Sequence, residues 1–334
     1  MELENKSHPL VSIGIPVFNG ERGLSHLLDA LIEQGYPNVE IIVSDNASTD
    51  TTREICQDYT NKDWRVTYYR SEKNLGAIWN FNRVFELSTG KYFMWAAHDD
   101  LREPSFISAC VKKMEHCTDA VLCQVHTAQF VEGHKDQLCV VNLDSFEGVT
   151  GLFERYREVL KNFPATAIYG LYRSAAMKKT RMFESVIATD VAFIQEMSIQ
   201  GNFVQLPEIL FSYIAREKWN TVHEDYKVFF GKDRKPWWYL PFVVLFINHC
   251  SRVASAELPF SLKVRLWWLL IKHEVGQFTL KIFIKTFKRL CPRAWKKRLA
   301  WLIYGRWMKG PNVEIGCEDL FFERVIKPRL GWWK

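Results

Sequence analysis

The sequence predicts an α/β protein with a central, mostly parallel β-sheet flanked by helices, followed by a mainly helical, basic C-terminal region. Two observations support this class. Short apolar runs of strand length alternate with segments of helical period, as expected for parallel strands joined by crossover helices. Polar clusters also follow the strands, where open sheets of this class bind their ligands.

Four strands are predicted in the first hundred residues, at 10–15, 39–43, 66–70 and 92–97. The helix after the first strand is indicated by four leucines at helical spacing, Leu24, Leu27, Leu28 and Leu31. Thr51 and Glu54 have the spacing of a capping box for the second helix. A loop with Asn74 and Gly76 leads to the third helix, which ends near Ser88.

The alternation continues after residue 100. We predict helices at 104–116 and 151–160 and strands at 120–126, 138–141 and 167–173. A further helix enters at Asp190 and is closed by Gly201, a residue type favoured just past a helix end. Residues 203–214, interrupted by Pro207, are predicted to form a short hairpin.

Charge and tryptophan content divide the chain near Gly231. Residues 231–334 hold 21 Lys and Arg against 7 Asp and Glu, whereas the first 230 residues hold 23 against 31. Nine of the 13 tryptophans also lie in residues 231–334. We therefore predict two parts, 1–230 and 231–334, and an anionic partner for the second.

The cysteines and the apolar segments indicate the cellular compartment in which the protein is expected. The 8 cysteines form no C-x-x-C pair and most lie in apolar runs, which favours reduced thiols over disulfides or a zinc site. The N-terminal residues lack the basic and apolar stretches of a secretory signal. Uninterrupted apolar runs stay shorter than the ~18 residues that a spanning helix needs. A cytoplasmic protein is expected.

The fourth predicted strand runs directly into His98, Asp99 and Asp100. Carboxylates crowded at the end of a buried strand repel one another unless a cation neutralises them. Mg²⁺ is usually held by one or two carboxylates together with substrate phosphates, so a metal–diphosphate site is one interpretation. A solvated acidic turn is the other. Both common phosphate-binding loops, G-x-G-x-x-G and G-x-x-x-x-G-K-[ST], are missing from the sequence, so any nucleotide must be held by another device.

Six short motifs occur in an order that resembles a family 2 glycosyltransferase of the GT-A fold. They are residues 11–19, 44–50, 74–76 and 90–92, the strand ending in residues 98–100, and residues 189–190. The resemblance covers residues 9–216. For the last hundred residues we find no family resemblance.

The resemblance implies that the loop after the first strand and the acid after the second hold a nucleoside. Pro16, Phe18 and Asn19 form that loop, with Phe18 packed on a pyrimidine face. Asp45 would accept a hydrogen bond from the base, and Asn74 lies in a loop that closes over it. The alternatives are core packing for Phe18, an Asx turn or helix cap for Asp45, and a plain turn for Asn74.

The resemblance further implies that Asp100 binds a metal ion, Mn²⁺ or Mg²⁺, and that Asp99 lies near the ribose or a metal-bound water. His98 stands where many relatives have Asp; a neutral imidazole suits Mn²⁺ better than Mg²⁺, and a contact with the donor alone is the alternative. Asp190 corresponds to the catalytic base, with Thr189 in place of the usual Glu. A helix N-cap is the other interpretation of Asp190.

The basic C-terminal region contains an amphipathic segment at 275–290 with aromatic residues nearby. Such a helix suits the headgroup layer of an anionic membrane. A helical subdomain packed on the first part, with a solvated basic face, is the alternative. No recognised nucleic-acid motif accompanies the charge, so no nucleic-acid partner is predicted. Arg216 and Trp219 could line the acceptor or diphosphate side, or lie on the surface.

The sequence thus predicts a metal-dependent inverting glycosyltransferase of hexosyl type, acting from a nucleotide-diphosphate sugar, in particular a UDP-sugar. The predicted acceptor is a glycan or lipid-linked glycan of surface polysaccharide synthesis. The predicted location is the cytoplasm, including the inner face of the plasma membrane. The alternative is a nucleotide-sugar-binding protein without transferase activity.

Overall fold

The computed structural model describes residues 8–97, 100–131, 134–141, 148–161, 165–215, 222–233, 236–237 and 239–290. Side chains are not described for residues 129–141, 165, 214–215, 222 and 277–290. The predictions for His98, Asp99, Arg216 and Trp219 and for the tail beyond residue 290 therefore lie outside the described residues. So do the side chains of most of the amphipathic segment 275–290.

One mixed sheet organises the described part of the chain. Its strands are β1 (Val11–Val17), β2 (Val39–Asp45), β3 (Val66–Arg70), β4 (Tyr92–Trp95), β5 (Leu101–Arg102), β6 (Ala120–Val131), β7 (His134–Val141), β8 (Leu171–Arg173) and β9 (Asn202–Ala215). The order across the sheet is β3-β2-β1-β4-β8-β6-β9-β5, and β7 pairs with β6. Strands β1 to β4 are parallel to one another, as predicted, and β6 and β9 are also parallel.

Ten α-helices lie within the described residues. They are α1 (Leu24–Ile32), α2 (Thr52–Lys62), α3 (Ala77–Glu86), α4 (Phe106–His116), α5 (Leu152–Lys161), α6 (Ser174–Met177), α7 (Thr189–Gln200), α8 (Val222–Phe230), α9 (Pro241–Ser255) and α10 (Phe260–Leu290). Among the described residues, no helix is both long and apolar enough to cross a membrane.

Two apolar cores cover the two faces of the sheet. The side chains of β1 alternate with period two, and Ile13 and Ile15 join the core formed with α1, α2 and α4. On the other face, Phe93 and Trp95 of β4 join the core formed with α3 and α7. Because both faces are covered, β4 is a continuous apolar run, and Ser12 and Gly14 of β1, which alternate with its branched apolar residues, are buried as well.

A third, smaller core joins the C-terminal helices to the sheet domain. Val253 of α9 and Leu266 and Leu270 of α10 pack with Tyr156 of α5, and all four side chains are buried. The described part of the C-terminal region therefore packs on the first part of the chain. The boundary near Gly231 stays a prediction.

Three local predictions were wrong. The predicted strand 167–173 is a 3₁₀ helix over Ala165–Tyr169 followed by the short strand β8. The hydroxyl of Tyr172 donates to the carbonyl of Ala167 at 2.7 Å, which closes this turn. The predicted capping box is absent: the Thr51 side chain makes no cap bond, and Asp50 Oδ1 accepts from Thr52 N at 3.1 Å instead.

The predicted hairpin at 203–214 is the third wrong prediction, because these residues lie in the single strand β9. Strand β9 pairs in parallel with β6, and the register shifts on both sides of His126, opposite the segment that contains Pro207. Proline cannot donate to a ladder, and an irregularity of this kind accommodates it without ending the strand.

Candidate functional site

The parallel strands β1 to β4 end at one edge of the sheet, and the predicted donor-binding residues follow these ends. Val17 at the end of β1 is paired with Asp45 at the end of β2, which is paired with Arg70 at the end of β3. Asp100 lies five residues after the end of β4. Pro16, Phe18, Asn19, Asp45 and Asp100 are thus gathered at the edge where α/β sheets bind ligands.

The loop after β1 holds an aromatic ring open to solvent. Phe18 is 44% exposed, so the core-packing alternative for this residue is not observed. Asn19 adopts a left-handed backbone conformation (φ 55°). Its Oδ1 accepts from Thr49 N at 2.8 Å, and its N–H donates to Ser48 Oγ at 2.9 Å. The half-buried Pro16 precedes the loop and lies beside Ser44. The loop is therefore fixed to the segment after β2, and the face of Phe18 is available for stacking.

Asp45 is fully buried and already paired. Its Oδ1 accepts from Ser48 N at 2.7 Å, which is the turn role considered above. Its Oδ2 accepts from the Tyr68 hydroxyl at 2.8 Å and forms an ion pair with Arg70. Burial and this hydrogen bond raise the pKa of Tyr68 to about 12. A carboxylate offers about four acceptor positions, so a base that contacts Asp45 must use the last one or displace Arg70.

Asn74 lies in a tight polar turn that is fixed by hydrogen bonds with Asn46. The Asn74 Oδ1 accepts from Gly76 N at 2.9 Å and from Asn46 Nδ2 at 3.0 Å. The buried Asn46 also accepts from Leu75 N at 2.9 Å. The turn role proposed for Asn74 is therefore observed, and Asn46 is a supporting residue that the sequence analysis did not single out.

Asp100, in the segment after β4, is buried. Its N–H donates to the carbonyl of Ala97 at 3.2 Å, and its Oδ2 accepts from Ala97 N at 3.2 Å. The buried Arg102 lies close enough for the charge of Asp100 to raise its pKa, although burial lowers that pKa more strongly.

A carboxylate oxygen held in this way is a hard donor of the kind that Mg²⁺ or Mn²⁺ prefers. In the part of the chain that the structure describes, which excludes His98 and Asp99, no group of three His, Cys, Asp or Glu residues is arranged to hold a metal. The role of Asp100 toward a metal ion stays a prediction.

Asp190 lies in the first turn of α7, on the second residue of the helix. Ala188 occupies the N-cap position with φ 61°, so the N-cap alternative for Asp190 is not observed. Burial raises the pKa of the half-buried Asp190 carboxyl, and hydrogen bonds from backbone N–H groups oppose this only in part. Thr189, which replaces the usual Glu, accepts from Glu184 N at 2.9 Å and so fixes the start of the helix.

Aromatic packing joins the start of α7 to the end of β4. Phe193, one turn after Asp190, contacts Trp95 edge-on with ring centroids 5.5 Å apart. Tyr172 packs on both rings. Burial raises the pKa of the Tyr172 hydroxyl, and the charge of Asp190 raises it further. The start of α7, which carries Asp190, therefore packs against the end of β4, the strand that precedes Asp100 in the chain.

Sequence reasoning missed the residues that support this site from other elements. Arg70 and Tyr68 neutralise and orient Asp45, and Arg252 of α9 lies beside the segment before α7. Strand pairing could have suggested Arg70, since it lies opposite Asp45 in the next strand. Arg252 carries no local signal, because its partner Glu196 is 56 positions away.

An exposed aromatic ring and buried carboxylates at the strand ends of an α/β sheet are typical of α/β proteins that bind a ligand at this edge. Comparison with known proteins identifies the family. The family profile described as Glycosyl transferase family 2 matches residues 12–178. Because this match covers half of the chain, the protein belongs to glycosyl transferase family 2.

Two curated relatives extend the comparison. The glycosyltransferase GlyA of Streptococcus pneumoniae serotype 4 is 26% identical over 215 residues, which are 62% of this chain and 31% of GlyA. TuaG of Bacillus subtilis, a glycosyltransferase assigned by name to teichuronic acid biosynthesis, is 34% identical over 92 residues, 28% of this chain and 36% of TuaG. The chain thus spans about a third of the length of these relatives.

Solved structures share the fold. S. aureus TarS in complex with UDP-GlcNAc aligns with a TM-score of 0.59 at 17% identity, over 80% of this chain and 72% of that one. The mannosyltransferase PcManGT from Pyrobaculum calidifontis, in complex with GDP-Man and Mn²⁺, aligns with a TM-score of 0.54 at 14% identity, over 98% of this chain and 88% of that one. These likenesses confirm the predicted GT-A-like sheet with its C-terminal helices.

Proposed function

We propose that this protein is a metal-dependent inverting glycosyltransferase that moves a sugar from a nucleotide diphosphate to a hydroxyl group. The observation that carries the proposal is the contact of Phe193, one turn after Asp190, with Trp95 at the end of the strand that precedes Asp100. Inverting transfer needs one carboxylate on the acceptor side and another on the diphosphate side. Asp190 and Asp100 fit these two positions.

Asp190 is the proposed general base. Its carboxylate removes the proton of the acceptor hydroxyl while the oxygen attacks the anomeric carbon, and the diphosphate leaves on the opposite face. The raised pKa of Asp190 suits this role, since a base is most effective when its pKa lies near the working pH. The hydrogen bond accepted by Thr189 fixes the start of α7, where the Asp190 carboxylate lies.

Asp100 is the proposed ligand of Mn²⁺ or Mg²⁺, with His98 as a further candidate outside the described residues. The ion, when bound, offsets the charge that develops on the leaving diphosphate. The hydrogen bond from Ala97 N holds the Asp100 carboxylate near the end of β4, beside the expected position of the phosphates. PcManGT, which was solved in complex with GDP-Man and Mn²⁺, supports a metal in this fold.

The donor is proposed to be a UDP-sugar with its base on the exposed face of Phe18. Asn19, Asp45 and Asn74 surround that position, and Asp99 is proposed to lie near the ribose. The UDP-GlcNAc named for TarS supports a uridine nucleotide. The experiment below identifies the transferred sugar and shows whether it is a hexose.

The acceptor is proposed to be a glycan or lipid-linked glycan of surface polysaccharide synthesis, which the named role of TuaG supports. We also propose that the protein works in the cytoplasm on the inner face of the plasma membrane. Helix α10 presents an apolar stripe to solvent, here called the outer stripe: Phe260, Val264, Trp268, Ile271 and Val275. Lys263, Arg265 and Lys272 border it, a combination suited to anionic headgroups.

The test is a nucleotide-release assay of the full chain with Mn²⁺ and a panel of UDP- and GDP-sugars. Wild-type protein should release nucleotide from one donor in the presence of a glycan acceptor, and EDTA should stop release until the metal is restored. Asp190→Asn should lower turnover by at least a thousandfold with donor affinity unchanged. Donor binding without release by the wild type would favour the nucleotide-sugar-binding alternative, and full activity of Asp190→Asn would remove this residue from the mechanism.

A further inference from the structure

The segment before α7, residues 181–188, carries backbone strain and is here called the base loop. Met182 and Ala188 both adopt left-handed conformations, with φ of 51° and 61°. For residues with a Cβ atom this conformation is unfavourable, and it persists only where surrounding contacts enforce it. Ala188 is the residue at which the chain enters α7, two positions before Asp190.

Arg252 of α9 supplies one set of these contacts. Its buried guanidinium donates to the carbonyl of the strained Met182 at 2.8 Å. The same group forms ion pairs with Glu184 of the base loop, at 3.1 Å, and with Glu196 of α7. Its Nε donates to Asn248 Oδ1 at 2.8 Å, which fixes the guanidinium on its own helix. A single side chain therefore joins α9 to the base loop and to the helix that follows it.

A second contact holds the other end of the base loop. The hydroxyl of Tyr239 accepts from Ile187 N at 2.9 Å, directly before the strained Ala188. Tyr239 is itself buried against Tyr226 and Phe230 of α8, with ring centroids 5.2 Å and 5.9 Å away. This tether therefore depends on α8 and on the segment leading into α9.

The charges in this cluster balance. Arg181 and Arg252 face Glu184 and Glu196, and Arg181 N donates to Glu196 Oε2 at 3.0 Å. Burial raises the pKa of Glu196 and lowers that of Arg252, and their ion pair opposes both changes. Arg252 and Glu196 are both buried, so removing either partner would leave an uncompensated charge.

We propose that α9 and Tyr239 position the proposed base Asp190, by holding the base loop in its strained conformation. Arg252 and Tyr239 are thus positioning residues that act through the entry into α7. The inference rests on the proposed function. It also assigns a role in turnover to residues that lie outside the 12–178 segment matched by the family profile.

The test compares Tyr239→Phe and Arg252→Lys with wild type and with Arg65→Lys. Tyr239→Phe removes the acceptor of the Ile187 amide, and Arg252→Lys keeps the charge but lacks the planar guanidinium that contacts four partners. Arg65 bridges Asp63 and the carbonyl of Ile32 before β3, outside the base loop, and is the matched control. Turnover should fall about tenfold in Tyr239→Phe and about a hundredfold in Arg252→Lys, where a tenfold change corresponds to ~1.4 kcal/mol. Donor Kd should stay within twofold, and the control should match wild type in both measurements.

Hydrogen exchange of the peptide covering residues 181–192 supplies a readout that does not require turnover. Exchange should accelerate in this peptide in both variants, while peptides of β1 and β2 keep their protection. Unchanged exchange, unchanged turnover, or a parallel loss of turnover and donor binding would overturn the inference. If the wild-type protein transfers no sugar, the proposed function fails, and the exchange result still decides whether α9 and Tyr239 hold the base loop.

Discussion

The burial of Asp190 suits its proposed catalytic role but lowers the folding stability of the ionised protein. Burial raises the pKa of its carboxyl above the value in the unfolded chain, so the folded state binds this proton more tightly. The resulting stabilisation is fully present below the unfolded pKa and is lost as the pH rises through the folded pKa. Ionisation over that same range produces the carboxylate that the proposed mechanism needs. The proposed base is therefore ionised at a cost in folding free energy.

Replacement of this carboxyl should accordingly stabilise the protein at neutral pH. Asp190→Asn should raise the free energy of unfolding by about 1 kcal/mol at pH 7, because the amide stays neutral when buried. The gain should disappear near pH 3, where the wild-type carboxyl is protonated in both states. Urea unfolding at the two pH values measures the difference. Asp58→Asn, on the exposed face of α2, is the control and should show no such gain; a loss of stability at pH 7 in Asp190→Asn would contradict the argument.

Two glycines join α8 to the loop that carries Asn74. Gly76 and Gly231 have φ of 88° and 61°, and they face each other. A Cβ atom on Gly76 would lie 2.5 Å from the carbonyl oxygen of Phe229 and 2.7 Å from Gly231 N. The backbone of the predicted donor loop therefore packs directly against the end of α8, which explains why both positions require glycine.

Gly76→Ala should separate these two elements. The clash with backbone and the unfavourable conformation should together cost about 2–3 kcal/mol of folding free energy, and donor affinity should fall about tenfold as the Asn74 turn shifts. Thermal unfolding and a donor titration measure the two effects. Gly276→Ala in α10 is the matched control: its Cβ would meet open space, so it should stabilise the protein by roughly 1 kcal/mol. Equal effects of the two substitutions would show that the contact with α8 is unimportant.

The docking of α9 on α5 and α7 makes the stability of the whole protein sensitive to acid. His249 of α9 is only 6% exposed, and burial lowers its pKa to about 4. Among the described residues its Nε2 has no hydrogen-bond partner. Between pH ~6.5 and pH ~4 the unfolded chain binds a proton that the folded protein does not. The contribution of the neutral imidazole is therefore lost as the pH falls through this range.

The free energy of unfolding should consequently drop by up to about 3 kcal/mol between pH 6.5 and pH 4 through His249 alone. His249→Leu keeps a similar volume without a titrating group, so its unfolding curve should show a correspondingly smaller drop. His26→Leu, on the exposed surface of α1, should keep the wild-type dependence. An identical pH dependence in wild type and His249→Leu would exclude this residue as the source.

The outer stripe of α10 is the feature through which the whole molecule is proposed to meet a membrane. Wild-type full-length protein should float with vesicles containing about 30% anionic lipid and should dissociate at high salt, since headgroup attraction is screened. The variant Val264→Ser/Trp268→Ser/Ile271→Ser should lose most of this flotation. Trp64→Ser removes a tryptophan of the sheet domain that is more exposed than Trp268, and it should leave flotation unchanged. Equal flotation of the two variants would contradict a role for the stripe.

Local sequence was sufficient for the parallel half of the sheet. In β1, β2 and β4 the apolar runs are buried on both faces, so burial and sequence pattern coincide and the strands were predicted within a few residues. The motifs after these strands placed Phe18, Asp45 and Asp100 correctly at one edge, because parallel strands bring their carboxyl ends together. The roles of these residues toward a donor stay predictions.

Long-range packing decided the rest. Strand β9 crosses Pro207 as one strand because its pairing with β6 shifts register there, and no local signal carries that information. The ion pair of Asp45 with Arg70, the tethering of the base loop by Arg252 and the contact of Gly76 with Gly231 each join positions that are far apart in the chain. Such contacts depend on the distance between elements after folding. A linear pattern of apolar and polar residues records which face of an element is buried, but not which side chain it will meet there.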